Sequence, residues 1–162
     1  PAAILDPDCW EVDPESHREF VQWQQSGSMT SFSEPFLRRV YEEDMNLCLA
    51  FPNTTLSHAL ERAVQENDLF IEEVNTRHQH STAPSKCVLL EVARFCRYRF
   101  RLGSRTPHTW YYISQLARNR ITAVCDFLNY LRYIKQGLVK SSIHDMYWEV
   151  VKLRRQMALA RR

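Results

Sequence analysis

The sequence predicts an α+β fold: one mostly helical domain with a small antiparallel sheet of three or four strands between N-terminal and C-terminal helices. Apolar residues recur at helical spacing towards both ends of the chain, whereas residues 69–113 contain short apolar and aromatic runs typical of strands. A chain of 162 residues is long enough for one domain with a substantial core. We assign residues 1–30 to an N-terminal arm with a short helix, and residues 31–162 to a globular α+β domain.

Capping residues mark three helix starts in the first part of the chain. Asp13-Pro14-Glu15 places an N-cap aspartate, a first-turn proline and an acidic residue at the positive helix end, and this helix stops near Ser26-Gly27-Ser28. Ser33-Glu34-Pro35 predicts a second helix that runs to about Phe51. Pro52-Asn53-Thr54 ends that helix and begins a third.

The predicted strands follow the third helix. Leu69-Phe70-Ile71 predicts a short strand, and residues 109–113 predict the last strand. Residues 87–92 predict a strand that pairs with the strand from Cys96 across Ala93-Arg94-Phe95. Residues 75–85 form a polar loop between the first two of these strands.

Two long helices close the chain. Ser114 predicts the cap of a helix that continues to about Gln136, and Gly137 provides its C-terminal stop. Ser142 resembles the first residue of a capping box and begins the final helix, whose apolar residues form a continuous stripe.

The segment from Cys96 to Gly103 carries the most distinctive pattern. As a strand it places Cys96, Tyr98, Phe100 and Leu102 on one face, and it places three arginines on the other face. Those arginines, Arg97, Arg99 and Arg101, have no acidic residue between them. They predict a face that attracts negative charge, supplied by this chain, another protein, a phosphate backbone or a lipid headgroup.

Charge is distributed unevenly, although the whole chain has a formal charge of only +2. Residues 1–75 contain 15 Asp and Glu against 4 Lys and Arg, so the remainder of the chain is strongly basic. This asymmetry is compatible with a nucleic-acid or membrane surface, and equally with an acidic half that packs beside a basic half. The chain has only 3 glycines, which disfavours phosphate-cradling loops and a dinucleotide-binding fingerprint.

Targeting and redox signals predict a cytoplasmic protein. No apolar run approaches the roughly 20 residues that span a bilayer, and the N-terminal residues lack the pattern of a signal peptide. The five cysteines are odd in number, and we interpret them as reduced.

Neither metal binding nor catalysis is predicted. Cys87 and Cys96 are separated by eight residues, and only His78 and His80 have the close spacing that zinc ligands show. No Ser, Cys or His lies in a recognisable nucleophile motif, so we predict no catalytic residue and no cofactor. Nucleic-acid binding is also disfavoured, because alternation places Tyr98 and Phe100 on the face opposite the arginines.

Large aromatic residues suggest a protein-binding role instead. Trp10, Phe20 and Trp23 lie in an acidic N-terminal arm, where they need a hydrophobic partner. That partner is another protein, or it is the core of this domain.

Several runs resemble the C-terminal module of the Rabin/GRAB group of Rab guanine-nucleotide exchange factors. The likeness covers nearly the whole chain and is densest after Cys96. It is carried by Pro35-Phe36-Leu37-Arg38-Arg39-Val40-Tyr41-Glu42-Glu43-Asp44, Cys96-Arg97-Tyr98-Arg99-Phe100-Arg101-Leu102-Gly103, Tyr111-Tyr112-Ile113-Ser114, Arg120-Ile121-Thr122-Ala123-Val124-Cys125, Tyr130-Leu131-Arg132-Tyr133-Ile134-Lys135-Gln136-Gly137-Leu138-Val139, Met146-Tyr147-Trp148-Glu149-Val150 and Leu153-Arg154-Arg155-Gln156-Met157.

The resemblance implies a Rab-binding module that is not itself an enzyme. In that family a parallel coiled coil performs nucleotide exchange and mediates homodimerisation, and this chain lacks the long heptad repeats of such a coil. The remaining module is expected to bind the recycling-endosome Rab in its GTP form. This binding would recruit the exchange factor in a Rab cascade for vesicle traffic, exocytosis and ciliogenesis, and would place it peripherally on vesicle or recycling-endosome membranes.

The sequence also departs from the family pattern. The loop before Cys87 lacks an expected cysteine, and Tyr98 stands where histidine is common, which further disfavours a metal site. The turn at residues 104–108 also differs, so no contact is transferred from the family to that turn.

A Rab surface with an apolar centre and charged surroundings would need aromatic anchors and a polar rim. The candidate anchors are Trp10, Phe20 and Trp23, with Trp110 and Tyr111 as a second patch. The candidate rim charges are Arg97, Arg99 and Arg101, which alternatively pair with the acidic half of the same domain. The alternative functions are a basic surface that docks anionic membrane lipid and a nucleic-acid-binding module.

Overall fold

The computed structural model describes residues 12–29, 31–74, 85–104 and 106–162. The predicted α+β class is confirmed, because helices lie at both ends of the described chain with two small antiparallel sheets between them. Two compact units are present: one comprises residues 1–48 and 123–162, and the other comprises residues 49–122. The first helix packs on other helices of its unit, and the boundary after residue 30 stays a prediction.

The described part of the first unit is helical. Its elements are α1 (Pro14–Ser26), α2 (Pro35–Val40), a π-helical turn (Tyr41–Met45), α3 (Asn46–Leu49), the second part of α5 (Gln115–Lys135) and α6 (Ile143–Ala160). The predicted N-cap of α1 is confirmed, because the Asp13 carboxylate accepts hydrogen bonds from the backbone N–H groups of Glu15 and Ser16 at 3.1 and 3.3 Å. The second predicted helix ends at Leu49, two residues earlier than expected, and contains the π-helical turn.

Aromatic side chains from two helices, with a lysine from a third, form part of the core of the first unit. Phe20 of α1 meets Phe36 of α2 edge-to-face, with ring centroids 5.3 Å apart, and Trp23 lies 5.2 Å from the same Phe36 ring. Lys135 of α5 donates from Nζ to the carbonyl oxygen of Trp23 at 2.7 Å and stands 4.3 Å over the indole ring. These contacts fix α1 in the helical unit.

A buried ion pair joins α6 to the π-helical turn. Arg154 is 1% exposed and donates from Nε to Asp44 at 2.6 Å and from Nη2 to Glu43 at 2.7 Å. Arg161 supplies a second guanidinium, 3.5 Å from the other Asp44 oxygen. The turn closes with an i→i+5 hydrogen bond from Asn46 N–H to the carbonyl oxygen of Tyr41, and it places two consecutive carboxylates at one guanidinium.

The second unit contains one complete helix and both sheets. Its elements are α4 (Thr54–Gln65), β1 (Leu69–Glu73), β2 (Ser85–Cys87), β3 (Val92–Arg94), β4 (Tyr98–Leu102), β5 (Tyr111–Ile113) and the first part of α5. The three-stranded sheet has the order β1-β4-β5, and β2 pairs with β3 alone. The predicted cap of α4 is confirmed, because the Asn53 side chain accepts from Leu56 N–H at 3.2 Å.

The predicted pairing of residues 87–92 with the Cys96 strand is wrong. Residues 88–91 form a turn instead, and β2 and β3 on either side of it make their own hairpin. Glu91 in this turn has a φ of 58°, so the chain reverses direction where a continuous strand was expected. The strand β4 therefore pairs with β5, which follows it, and with β1, which precedes the β2–β3 hairpin in sequence.

The predicted ends of the last two helices are confirmed. The Ser114 hydroxyl accepts from Ala117 N–H at 3.3 Å, and the Ser142 hydroxyl accepts from Asp145 N–H at 3.1 Å. Gly137 follows α5 with a φ of 73°, a left-handed conformation that glycine adopts without steric cost.

Candidate interaction surface

The alternation predicted for the arginine strand is present in β4. Phe100 is fully buried, whereas the arginines on either side of it are partly exposed on the opposite face. The strand register brings side chains of β1 and β5 to the same face, since Phe70 pairs with Arg101, Glu72 pairs with Arg99, and Arg99 also pairs with Tyr112. We call this surface the arginine–aromatic face; it comprises Phe70, Glu72, Arg99, Arg101, Trp110 and Tyr112.

Cation–π contacts organise the arginine–aromatic face. The guanidinium carbon of Arg99 lies 4.1 Å from the centroid of Trp110. The guanidinium carbon of Arg101 lies 4.2 Å from the centroid of Phe70 and 5.6 Å from that of Trp110. Such contacts contribute about 0.5–1 kcal/mol each at exposed sites, and they hold the planar guanidinium groups against the rings.

The strand predicted from Cys96 begins at Tyr98, so Arg97 lies just before β4. Arg99 of β4 and Arg97 are both paired with carboxylates of β1. Arg99 donates from Nε to Glu72 at 2.6 Å, and Arg97 lies 3.8 Å from Glu73. Burial lowers the pKa of Arg99, but hydrogen bonds to Glu72 and Tyr112 more than offset it, so this pKa is raised overall. These pairs agree with the alternative in which acidic residues of the same chain neutralise the positive charges of the arginines.

Arg101 differs from its two neighbours in its charge environment. Among the described residues, no carboxylate lies within 4.0 Å of its guanidinium group. Its position between Phe70 and Trp110 is therefore set by aromatic contacts and not by an ion pair. The arrangement presents one uncompensated positive charge on a face that is otherwise neutralised.

Apolar surface is exposed beside these charges. Phe70 and Tyr112 are 43% and 42% exposed, and Trp110 is partly exposed. Large exposed aromatic side chains next to arginine are the composition typical of protein interfaces, in which both residue types are enriched. The arginine–aromatic face therefore has the chemistry of a protein-binding surface.

The structure places the other predicted anchors elsewhere. Phe20 and Trp23 are 0% and 3% exposed and pack in the core of the first unit, which corresponds to the alternative that they anchor the segment to the chain's own core. Tyr111 points to the opposite side of β5 and stacks on Phe100 with a centroid separation of 5.2 Å. Trp10 lies outside the described residues.

Sequence reasoning missed three members of the arginine–aromatic face. Phe70, Glu72 and Tyr112 occupy alternate positions of their strands, so period-two alternation in β1 and β5 was the available signal. Tyr98 and Phe100 do lie opposite the arginines, but Phe70 and Trp110 supply aromatic rings on the arginine side. The expectation that aromatic residues and arginines do not share a surface is therefore wrong for this sheet.

The cysteines considered as metal ligands lie in the second unit's interior. The Cys96 thiol donates to the carbonyl oxygens of Ser85 and Arg94 at 3.7 and 3.6 Å, and burial raises its pKa. Cys87 is fully buried, and its sulfur accepts from Ser114 N–H at 3.5 Å. Within residues 12–29, 31–74, 85–104 and 106–162, no three His, Cys, Asp or Glu side chains are placed to hold a metal ion. His78 and His80 lie outside the described residues.

An open groove of about 560 Å³ lies beside α4 in the second unit. Both acidic and basic side chains line it, so it presents no set of groups that matches one ligand charge. Its lining includes His58, Arg62, Glu66, Asp68 and Gly103. In the part of the chain that the structure describes, no helix combines the length and apolarity needed to cross a membrane.

Comparison with known proteins identifies the family. The model of the Rabin 8-like C-terminal domain matches residues 10–162. The chain is 41% identical over 159 residues to the human guanine nucleotide exchange factor for Rab-3A, covering 93% of this chain and 41% of that protein. It is 42% identical to the rat protein and 40% identical to the bovine protein of the same name, covering 93% and 98% of this chain and 40% and 44% of those proteins.

The chain therefore belongs to the Rabin 8-like C-terminal domain family, and the predicted resemblance is confirmed. It spans about two fifths of the length of the curated relatives that it matches. The relatives are exchange factors as whole proteins, and this chain corresponds to one domain of them.

Proposed function

We propose that this chain is the interaction module of a Rab exchange factor, and that it binds a small GTPase in its GTP form through the arginine–aromatic face. The observation that carries the proposal is the exposure of Phe70 and Tyr112 on the same sheet face as Arg99 and Arg101. The family supports the partner class, because the relatives are named as exchange factors for Rab-3A.

The composition of the face fits a GTPase that is apolar at its centre and charged around it. Trp110 and Phe70 provide apolar area, and Arg101, which has no ion pair among the described residues, provides a charge for the rim. The sheet that carries these residues is rigid compared with a loop, so little ordering entropy would be lost on binding.

Nucleotide exchange itself belongs to another part of the full-length protein in this proposal. The longest helix in the described residues, α5, has 21 residues, which is too short for the extended coiled coil expected of the exchange element. The module would therefore act in recruitment. It binds the recycling-endosome Rab in its GTP form, and the rest of the exchange factor then activates the next Rab of the cascade. Vesicle association, exocytosis and cilium formation would follow from that recruitment, and homodimerisation would reside in the coil.

Isothermal titration calorimetry tests the nucleotide preference. The chain is titrated with the recycling-endosome Rab loaded with a non-hydrolysable GTP analogue, and separately with GDP. We expect the GTP form to bind at least tenfold more tightly, because only that form presents the ordered switch surface. Equal affinity for both forms, or no binding, would contradict the proposal.

Variants test the assigned face. Trp110→Ala and Phe70→Ala should each weaken binding by about tenfold or more while thermal stability changes little, because both side chains are partly exposed. Leu138→Ala is the matched control, since Leu138 is 62% exposed and belongs to the first unit, whereas the face belongs to the second. Trp23→Ala should lower stability instead, because its ring is buried.

A further inference from the structure

We infer that Arg101 is a receptor for one carboxylate side chain of the protein partner, and that an apolar group of the partner enters between Phe70 and Trp110 beside it. The inference rests on the proposed function for the identity of the partner. It adds the chemistry of recognition, which neither the family nor the fold specifies.

The geometry around Arg101 supports a carboxylate ligand. Its guanidinium carbon lies 4.2 Å from the Phe70 centroid and 5.6 Å from the Trp110 centroid, so two rings limit where the group can move. A guanidinium held in this way keeps its fork of N–H donors available, and that fork matches the two oxygens of a carboxylate. No described carboxylate occupies this position.

Arg97 and Arg99, which are close to Arg101 in sequence, form ion pairs where an acidic residue is near. Glu72 of β1 lies opposite Arg99 in the strand register and forms an ion pair with it, and Glu73, the next residue of β1, lies 3.8 Å from Arg97. The register opposes Arg101 with Phe70, so β1 supplies an aromatic ring opposite Arg101 and a carboxylate opposite Arg99. The missing counter-charge is therefore a consequence of which residue lies across the strand, and a partner can provide it.

The charge count of the face favours a protein carboxylate over a polyanion. Three strand arginines and the two glutamates paired with them leave a single net positive charge. Nucleic acids and anionic bilayers bind surfaces with several uncompensated bases, whereas Glu72 and Glu73 are 47% and 59% exposed here and would repel phosphate groups. One uncompensated arginine between aromatic rings fits one carboxylate with apolar neighbours.

Calorimetry with the GTP-loaded Rab is the first test. Arg101→Gln should weaken binding by about tenfold or more, because a hydrogen bond to a charged group is lost. Arg101→Lys should recover only part of the affinity, because it keeps the charge without the planar fork. Arg97→Gln is the matched control, with an expected change below about twofold, since Arg97 is 48% exposed and lies 3.8 Å from Glu73. Equal effects of Arg101→Gln and Arg97→Gln would overturn the inference while leaving the proposed function intact.

A second test does not depend on the GTPase. The side-chain Nε–H resonance of Arg101, assigned by its loss in Arg101→Lys, is followed by NMR during titration with N-acetyl-phenylalanine. We expect a saturable shift at millimolar concentration, and none with N-acetyl-phenylalaninamide, which lacks the carboxylate. Equal shifts with the amide, no shift with either compound, or a larger shift with inorganic phosphate would refute the carboxylate assignment, whether or not the Rab binds.

Discussion

Arg154 offers the sharpest test of what stabilises the first unit. Arg154→Met keeps a side chain of similar length and removes both hydrogen bonds to the π-helical turn, at 2.6 Å to Asp44 and 2.7 Å to Glu43. Asp44 is 4% exposed, so its carboxylate would remain in the interior with one oxygen unpaired. Breaking a buried ion pair in this way costs about 3–5 kcal/mol.

The structure places the expected loss at the lower end of that range. Arg161 still lies 3.5 Å from the second Asp44 oxygen, and Glu43 is one-third exposed and can be rehydrated. We therefore expect the free energy of unfolding to fall by about 3 kcal/mol. For a urea m-value of about 2 kcal/mol/M, this corresponds to a midpoint lower by about 1.5 M, measured by far-ultraviolet circular dichroism.

A double variant separates the ion pair from simple packing. Asp44→Asn combined with Arg154→Met removes the stranded charge, so the double variant should be more stable than Arg154→Met alone. A loss below about 1 kcal/mol for Arg154→Met would refute the reasoning. So would a double variant whose loss equals the sum of the two single losses, because the residues would then act independently.

Three further outcomes follow from the first unit. Gly27→Ala should destabilise it by about 2 kcal/mol in thermal unfolding, because the added Cβ would lie 2.3 Å from Cδ1 of buried Trp23. Glu19→Gln should cost about 1 kcal/mol at pH 7, because a hydrogen bond from Arg39 lowers the pKa of Glu19. The pKa of Glu19 is lower in the folded state than in the unfolded state. The destabilisation by Glu19→Gln is therefore full above the pKa of Glu19 in the unfolded chain, and it disappears as the pH falls through the pKa in the folded chain. Urea midpoints of both proteins between pH 7 and 2.5 would detect this change. Burial raises the pKa of Cys125 to about 11, so iodoacetamide at pH 8 should alkylate it about 100-fold more slowly than an ordinary thiol, as followed by mass spectrometry.

Two of these outcomes have a control within the chain. Gly137→Ala meets no atom within 4 Å but has a φ of +73°, so its loss of about 1 kcal/mol would come from backbone strain alone. A Gly27→Ala protein as stable as the parent would mean that the indole can move aside. Glu15→Gln should have little effect, because Glu15 is 62% exposed. A cost of Glu19→Gln that persists unchanged at pH 2.5, or rapid alkylation of Cys125, would contradict the corresponding argument.

Helix ends were predictable from the sequence, but the strand pairing was not. Asp13, Asn53 and Ser142 each cap a helix at the predicted position, because capping depends on a side chain and a backbone N–H only two or three residues away. Pairing in a sheet depends on residues that are distant in sequence, so the partner of β4 could not be read from the local pattern. The positive φ of Glu91, which redirects the chain into a short hairpin, carries no glycine or asparagine signal.

The arginine–aromatic face was predictable only in part, because some of its features depend on local sequence and others on distant residues. Alternation correctly placed Arg99 and Arg101 on one face of β4, because the direction in which a side chain points from a strand is a local property. Whether an aromatic residue is buried depends on the helices that pack around it, and sequence alone left Trp23 with two alternatives. Tyr111 and Trp110 are neighbours in sequence but face opposite ways, so only the register of β5 separates the core residue from the surface residue.

Ion pairs between the two halves of the chain explain part of its charge asymmetry. Acidic residues of the first half meet basic residues of the second half across long sequence separations, as Asp44 does with Arg154 and Glu72 does with Arg99. Basic residues that are paired with carboxylates attract polyanions weakly, so the asymmetry alone does not predict a nucleic-acid or membrane surface. On the arginine–aromatic face, Arg101 differs from Arg99, because its cross-strand neighbour is an aromatic ring and not a carboxylate. A charge left uncompensated at a rigid, partly apolar face favours binding to a protein that carries the complementary group.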